Sequence, residues 1–251
     1  MSFSVTGVQT CALPICVVCA GGSDAQRHYS DVFVMRLVGE ELQFENLPPL
    51  PRPLANGAGA LLGNTLYVAG GSETPEATNA LQDFWALDLA AAQPQWRELA
   101  PWPGPARILA VAAVQDGAFF LASGVELFSD ADGKPARRYL RDVYRYKPGV
   151  GWKRVADLPH PTAAAPSPAP ALGQSAFVIL GGDDGSKVGF QPIAEHPGFP
   201  KTILAYHTIT DTWKPLGEVP AARVTTPTVK WNDDWVVPSG EMRPGVRSPE
   251  V

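Results

Sequence analysis

The chain has 251 residues, of which 45% are hydrophobic and 18% charged, with a formal net charge of −5 and a pI near 5.4. It carries no block of Lys and Arg to match a polyanion, and no apolar run approaches the ~18 residues that span a bilayer, so nucleic acid and membrane are not expected partners. The 24 glycines and 26 prolines instead predict many short strands joined by turns, in one large all-β domain.

Taken in chain order, residues 1–15 stand apart. They have neither a basic start nor an unbroken apolar stretch, so they do not form a secretory signal. The run VTGVQTCALPI looks like translated sequencing-adaptor sequence. The segment is therefore set aside as a non-native tail, with the native N-terminus missing and the fold assigned to 16–251. The three cysteines, Cys11, Cys16 and Cys19, fall within nine residues. They lack a second ligand cluster, which argues against a zinc site and a disulfide framework. Cys19 reads as a small buried strand residue.

From Val17 a pattern recurs five times: an apolar strand running into two small residues. The pairs are Gly21-Gly22, Gly70-Gly71, Ser123-Gly124, Gly181-Gly182 and Ser239-Gly240, spaced by 49, 53, 58 and 58 residues. Other elements keep a fixed order behind each pair. An acidic–aromatic strand comes first (Asp31–Met35, Asp83–Leu87, Asp142–Tyr146, Ile203–His207), then an outer strand with a large aromatic (Phe44, Trp96, Trp152, Trp213). A proline-rich turn follows, and then a small-residue inner strand such as Ala55–Ala60 or Ile108–Ala113. A period near fifty with four strands per cycle is the signature of a kelch-type β-propeller. Four blades and part of a fifth are visible, as expected of a piece of a six-bladed ring. The tryptophans are expected to anchor blade against blade.

Most chemical signatures are missing. His28, His160, His196 and His207 show no metal-ligand spacing and are expected in loops or at strand edges. Asp130-Ala131-Asp132-Gly133 lacks the later ligands of a calcium loop and reads as a turn. No phosphate-binding glycine loop, sialidase Asp-box or copper-radical constellation occurs, and no metal or cofactor is implied.

The informative segment is the last one, SGEMRPGVRSPEV. Where the other repeats follow the small pair with Ser23, Ser72, Val125 or Asp183, this one has Glu241, and Pro244-Gly245 turns the chain so that Glu241 and Arg247 can face one cavity. On spacing alone a surface ion pair fits as well. The segment matches Gly-Glu-x-x-Pro-Gly-x-Arg at every fixed position. With CAGGSDAQRHYSDVF, LYVAGGSETPEATNALQDFWALDL, GGDDG and EHPGFPKTILAYHTITDTW, it makes the chain resemble the N-acetylneuraminate epimerases (sialic acid mutarotases), most closely the cyclically permuted mutarotase branch.

That resemblance implies an isomerase that interconverts the α and β anomers of N-acetylneuraminate, an acidic sugar, with no cofactor. By residue-for-residue carry-over, Glu241 is the proton acceptor and Arg247 its partner, which either binds the substrate carboxylate or stabilises an alkoxide. Arg107, entering an inner strand where the channel mouth should lie, is a candidate substrate contact, with Arg52 and Arg223 in comparable places and Arg243 a weaker candidate. Family members are often exported, so a periplasmic location is expected. With an incomplete ring the fragment itself is expected to be inactive or feeble. The competing readings are a non-catalytic kelch propeller that binds a protein or glycan, and mutarotation of another sugar.

Overall fold

The computed structural model describes residues 6–8, 16–231 and 234–251. It holds four four-stranded antiparallel sheets, each built from strands that pair in chain order. The first comprises Thr6–Val8, Cys16–Ala20, Val32–Val38 and Glu41–Leu47, and the second Ala58–Leu62, Thr65–Ala69, Phe84–Asp88 and Trp96–Glu98. The third comprises Val111–Gln115, Ala118–Ala122, Val143–Lys147 and Gly151–Val155, and the fourth Ala171–Leu172, Ala176–Leu180, Thr202–His207 and Thr212–Glu218. Beyond them Val229–Trp231 pairs with Asp234–Val236, and Glu241–Arg243 with Val246–Arg247. This is an all-β chain with the sheet-against-sheet packing of a β-propeller. Of the segment set aside at the N-terminus, only Thr6–Val8 is described. It runs antiparallel to Cys16–Ala20, in a position that the sequence reading left empty. The rest of 1–15 lies outside the described residues.

The strand before the third small pair, Ala118–Ala122, is apolar and buried at every position because both of its faces are covered. Successive side chains point to opposite faces of a strand. In the third sheet Phe119 and Leu121 join a core with Tyr67, Phe84 and Ala86 of the second, whereas Phe120 and Ala122 join one with Phe177, Ile179 and Tyr206 of the fourth. The first and second sheets meet through Val18, Val34, Leu66 and Trp85 in the same manner. Cys19 is buried, as expected, and burial pushes its thiol pKa up.

The outer tryptophans tie neighbouring sheets together. The indole N–H groups of Trp96, Trp152 and Trp213 donate to the carbonyls of Pro48, Ala100 and Ala156, at 2.8, 2.8 and 2.9 Å. Each acceptor lies just beyond the outer strand of the preceding sheet. Phe44, which has no indole donor, is exposed.

The small pairs share one backbone shape. The first residue has φ between 57 and 68° and the second between 105 and 117° in all five. The first value lies in the left-handed well that other residues visit at a cost, so Ser123 and Ser239 are tolerated there; the second suits only glycine. At Gly182 a Cβ would also sit 2.7 Å from the backbone of Thr162.

The residue after each of the last four pairs bridges to the inner segment of its own repeat: Ser72 to Ala55, Val125 to Ile108, Asp183 to Ala163 and Glu241 to Val224. The next residue of each inner segment, Asn56, Leu109, Ala164 or Thr225, is left-handed, with φ of 58, 56, 56 and 55°. The amide of each of the last three donates to the carbonyl of its counterpart one repeat earlier (Leu109 to Asn56, Ala164 to Leu109, Thr225 to Ala164, all 2.8 Å). An arc of backbone hydrogen bonds thus links the inner edges of the sheets. The same kink delays the inner strands. Those expected over Ala55–Ala60 and Ile108–Ala113 begin only at Ala58 and Val111, because a left-handed residue cannot continue a strand.

Candidate active site

Glu241 and Arg247 stand opposite each other on a hairpin formed by local chemistry, without an ion pair between their side chains, and of the two only Glu241 lines the adjoining cavity. Pro244 supplies a fixed φ and Gly245 the positive φ of 73° that a tight turn requires at its second central position. The turn sets Glu241 directly opposite Arg247 across the two strands. The Gly245 amide donates to Glu241 Oε1 at 2.5 Å, which fixes the carboxylate and leaves Oε2 available. Arg247 Nη2 donates to the Thr225 carbonyl at 3.1 Å, at the end of the inner arc. Arg243 turns elsewhere: its Nη1 donates to the Ala194 carbonyl at 2.7 Å and so ties the hairpin to the 184–200 loop.

Glu241 lines a cavity of about 330 Å³. Facing it are Asp183, which holds the same place in the preceding repeat, and Tyr139, Arg137, Lys187 and His196. Asp183 is fully engaged: Tyr139 donates its hydroxyl to Oδ2 at 2.7 Å and the Gly185 amide donates to Oδ1 at 2.9 Å. Burial first, and this bond to a carboxylate second, push the Tyr139 phenol above its usual range. Gly185 admits no side chain, since a Cβ would lie 2.6 Å from the Tyr139 ring.

His196 is buried between the rings of Phe190 and Phe199, 5.4 and 5.8 Å away. Its Nδ1 accepts the Gly198 amide at 3.1 Å. That assigns the ring proton to Nε2 and makes His196 a hydrogen-bond donor on the cavity wall. Among the described residues no group of three or more His, Cys, Asp or Glu is arranged to hold a metal ion.

The substrate contact expected at Arg107 is corrected by the structure. Its side chain is 0% exposed and its guanidinium forms a two-pronged ion pair with Asp142, 2.9 Å on each side. It also donates to the Ser123 and Pro105 carbonyls and lies over the rings of Trp102 and Tyr144. No face remains for a ligand. The residue that aligns with Arg107 in the preceding repeat is Leu54, not Arg52, since their carbonyls accept from the equivalent amides of Gly71 and Gly22. Arg52 instead pairs with Asp83 at 3.2 Å. Arg223 does align with Arg107, and its guanidinium bonds Ser248 and Glu250.

Burial alone would raise the Asp142 pKa. The hydrogen bonds and charge of Arg107, with the Tyr144 hydroxyl, outweigh it and hold the carboxyl below its usual range. A carboxyl with a lower pKa in the folded state adds stability above its unfolded pKa, about 3.9, and loses it as pH falls through the folded value. Thermal unfolding should therefore show the melting temperature falling below about pH 4. Asp142→Asn should be less stable at neutral pH and should flatten that acid limb. An acid limb of unchanged slope would remove Asp142 as its source.

Sequence reasoning missed Asp183, Tyr139, His196, Arg137 and Lys187 as cavity residues. Asp183 could have been found, because it occupies the repeat position that drew attention to Glu241. Nothing local marks the others, whose places depend on how the third sheet and the 184–200 loop pack.

Comparison with known proteins follows the same lines. The N-acetylneuraminate epimerase family model matches residues 47–190, a span that stops before the last hairpin. Curated relatives called N-acetylneuraminate epimerase include those of Haemophilus influenzae strain PittEE (27% identical, 82% of this chain and 58% of the relative) and Pasteurella multocida strain Pm70 (29%, 80% and 57%). The chain thus spans less than two thirds of their length. The solved structure of YjhT superposes with a TM-score of 0.62 at 22% identity, covering 80% of this chain and 62% of that one, and so shares its fold. Since the family match extends over more than half of its residues, this chain belongs to the N-acetylneuraminate epimerase family.

Proposed function

We propose that the full-length protein interconverts the anomers of N-acetylneuraminate, with Glu241 as the proton acceptor. The observation that carries this reading is the Glu241 carboxylate, held by the Gly245 amide at 2.5 Å with its second oxygen available on a cavity wall, in a chain of this family. Glu241 takes the proton of the anomeric hydroxyl. The bond from the anomeric carbon to the ring oxygen breaks, giving a ketone and an alkoxide on the former ring oxygen. Arg247 and the His196 Nε2–H stabilise that alkoxide. The ketone turns, the alkoxide attacks its other face, and Glu241 returns the proton to the new anomeric oxygen. No atom is gained or lost, and the enzyme ends as it began.

Exchange NMR on free N-acetylneuraminate near neutral pH should show anomer interconversion well above the spontaneous rate. An unchanged rate would overturn the reading. His196→Asn, which removes a donor from the alkoxide, should lower turnover by about 10²-fold; full activity in that variant would remove His196 from the mechanism. The chain's share of its relatives, 58% of the Haemophilus protein, supports reading its four sheets as part of a larger ring, which is why the full-length protein is the species to assay.

A further inference from the structure

Of the cations near the cavity, most are already engaged. Arg107 is paired with Asp142, Arg138 with Glu126 and Arg223 with Glu250, while Arg243 and Arg247 donate to the backbone carbonyls of Ala194 and Thr225. Arg137 and Lys187 differ. Both line the cavity, and among the described residues neither forms an ion pair or a side-chain hydrogen bond.

The position of Arg137 is set by strand register. The third sheet carries an extra hairpin, Val125–Ser129 paired with Pro135–Tyr139, in which Val125 faces Tyr139, Glu126 faces Arg138 and Leu127 faces Arg137. Residues two apart share a face of a strand. Arg137 therefore lies on the Tyr139 side, and Arg138, paired with Glu126, on the other. The bond from Tyr139 to Asp183 fastens this arm to the fourth sheet's turn and holds Arg137 over the cavity. Lys187 approaches from the loop that begins at that same turn.

The carboxylates of the cavity do not satisfy these cations. Asp183 uses both oxygens on Tyr139 and Gly185, and Glu241 uses one on Gly245. An anionic sugar entering past two carboxylates is repelled unless fixed positive charge compensates. A neutral sugar needs no such charge.

We propose that Arg137 and Lys187 together bind the substrate's carboxylate and set a preference for acidic over neutral sugars, which leaves Arg247 to the developing alkoxide. The inference rests on reading this cavity as the epimerase site.

The test is binding, which is independent of turnover. N-acetylneuraminate and its methyl ester, which lacks the charge, are titrated by ligand-observed NMR into the full-length protein and its variants. The wild-type protein should bind the acid about 10- to 100-fold more tightly than the ester, the range expected of charged hydrogen bonds. Arg137→Ala with Lys187→Ala should abolish that difference by weakening the acid alone, and Arg137→Lys should retain part of it. A double variant that still prefers the acid as strongly as the wild type would overturn the proposal, as would a wild type with no preference or no binding. Failure of the epimerase reading looks different: the wild type would leave the exchange rate of N-acetylneuraminate unchanged, whatever its binding preference.

Discussion

Glu241→Gln is expected to cost the full-length protein most of its acceleration of anomer exchange, a loss of about 10²- to 10⁴-fold as general-base catalysis is removed. The substitution isolates the chemistry well. Glutamine keeps a side-chain oxygen to accept the Gly245 amide, so the hairpin retains the bond seen at 2.5 Å. What disappears is a basic atom able to take a proton from the anomeric hydroxyl. The melting temperature should barely move while the exchange rate collapses. Near-wild-type exchange in this variant would show that another group is the base. Asp183→Asn is the informative companion. Asp183 is engaged by Tyr139 and Gly185, so its loss should loosen the arm and lower stability, with a smaller effect on rate than that of Glu241→Gln.

The second large effect is on stability. Arg107→Ala should destabilise the fold by about 3–5 kcal/mol, the usual cost of stranding one member of a buried ion pair. Asp142 would keep the Tyr144 hydroxyl at 2.8 Å but lose both guanidinium bonds, and the gap beside Trp102 would add a cavity term. Arg107→Met combined with Asp142→Leu removes both charges and roughly preserves volume. That double variant should be much closer to the wild type than the single one. Denaturant titration of the three proteins checks this directly. A single variant within about 1 kcal/mol of the wild type would show that the pair is weakly coupled to the fold.

The repeat architecture was legible because its signals are local. A strand such as Phe119–Ala122 is apolar throughout because neighbouring sheets cover both of its faces, and Trp96, Trp152 and Trp213 mark the outer strand at the same point of each cycle. The last hairpin was equally readable, since Pro244-Gly245 fixes the turn and the turn fixes which residues oppose each other. Arg107 was misread because its partner, Asp142, lies 35 residues away; charge next to an inner strand suggests a channel mouth until the counter-ion is known. Arg52 was misaligned by two positions because composition around a proline-rich turn does not count register, whereas the backbone bonds of Leu54 do. The strand Thr6–Val8 is too short to carry a period. His196, in a stretch with little regular structure, acquires its role only from the Gly198 amide and two phenylalanine rings.

The arc from Asn56 through Leu109 and Ala164 to Thr225 has one more implication. Four unlike side chains (an amide, a branched alkyl, a methyl and an alcohol) sit on backbones whose φ angles agree within a few degrees and whose three linking bonds are all 2.8 Å. The frame is therefore indifferent to what it displays. Neighbouring Ser72, Val125, Asp183 and Glu241 obey the same rule, each bridged identically to its own repeat. A propeller built in this way can trade one inner-edge group for another without disturbing its scaffold, so that new chemistry requires only a change of substituent at a position already fixed in space.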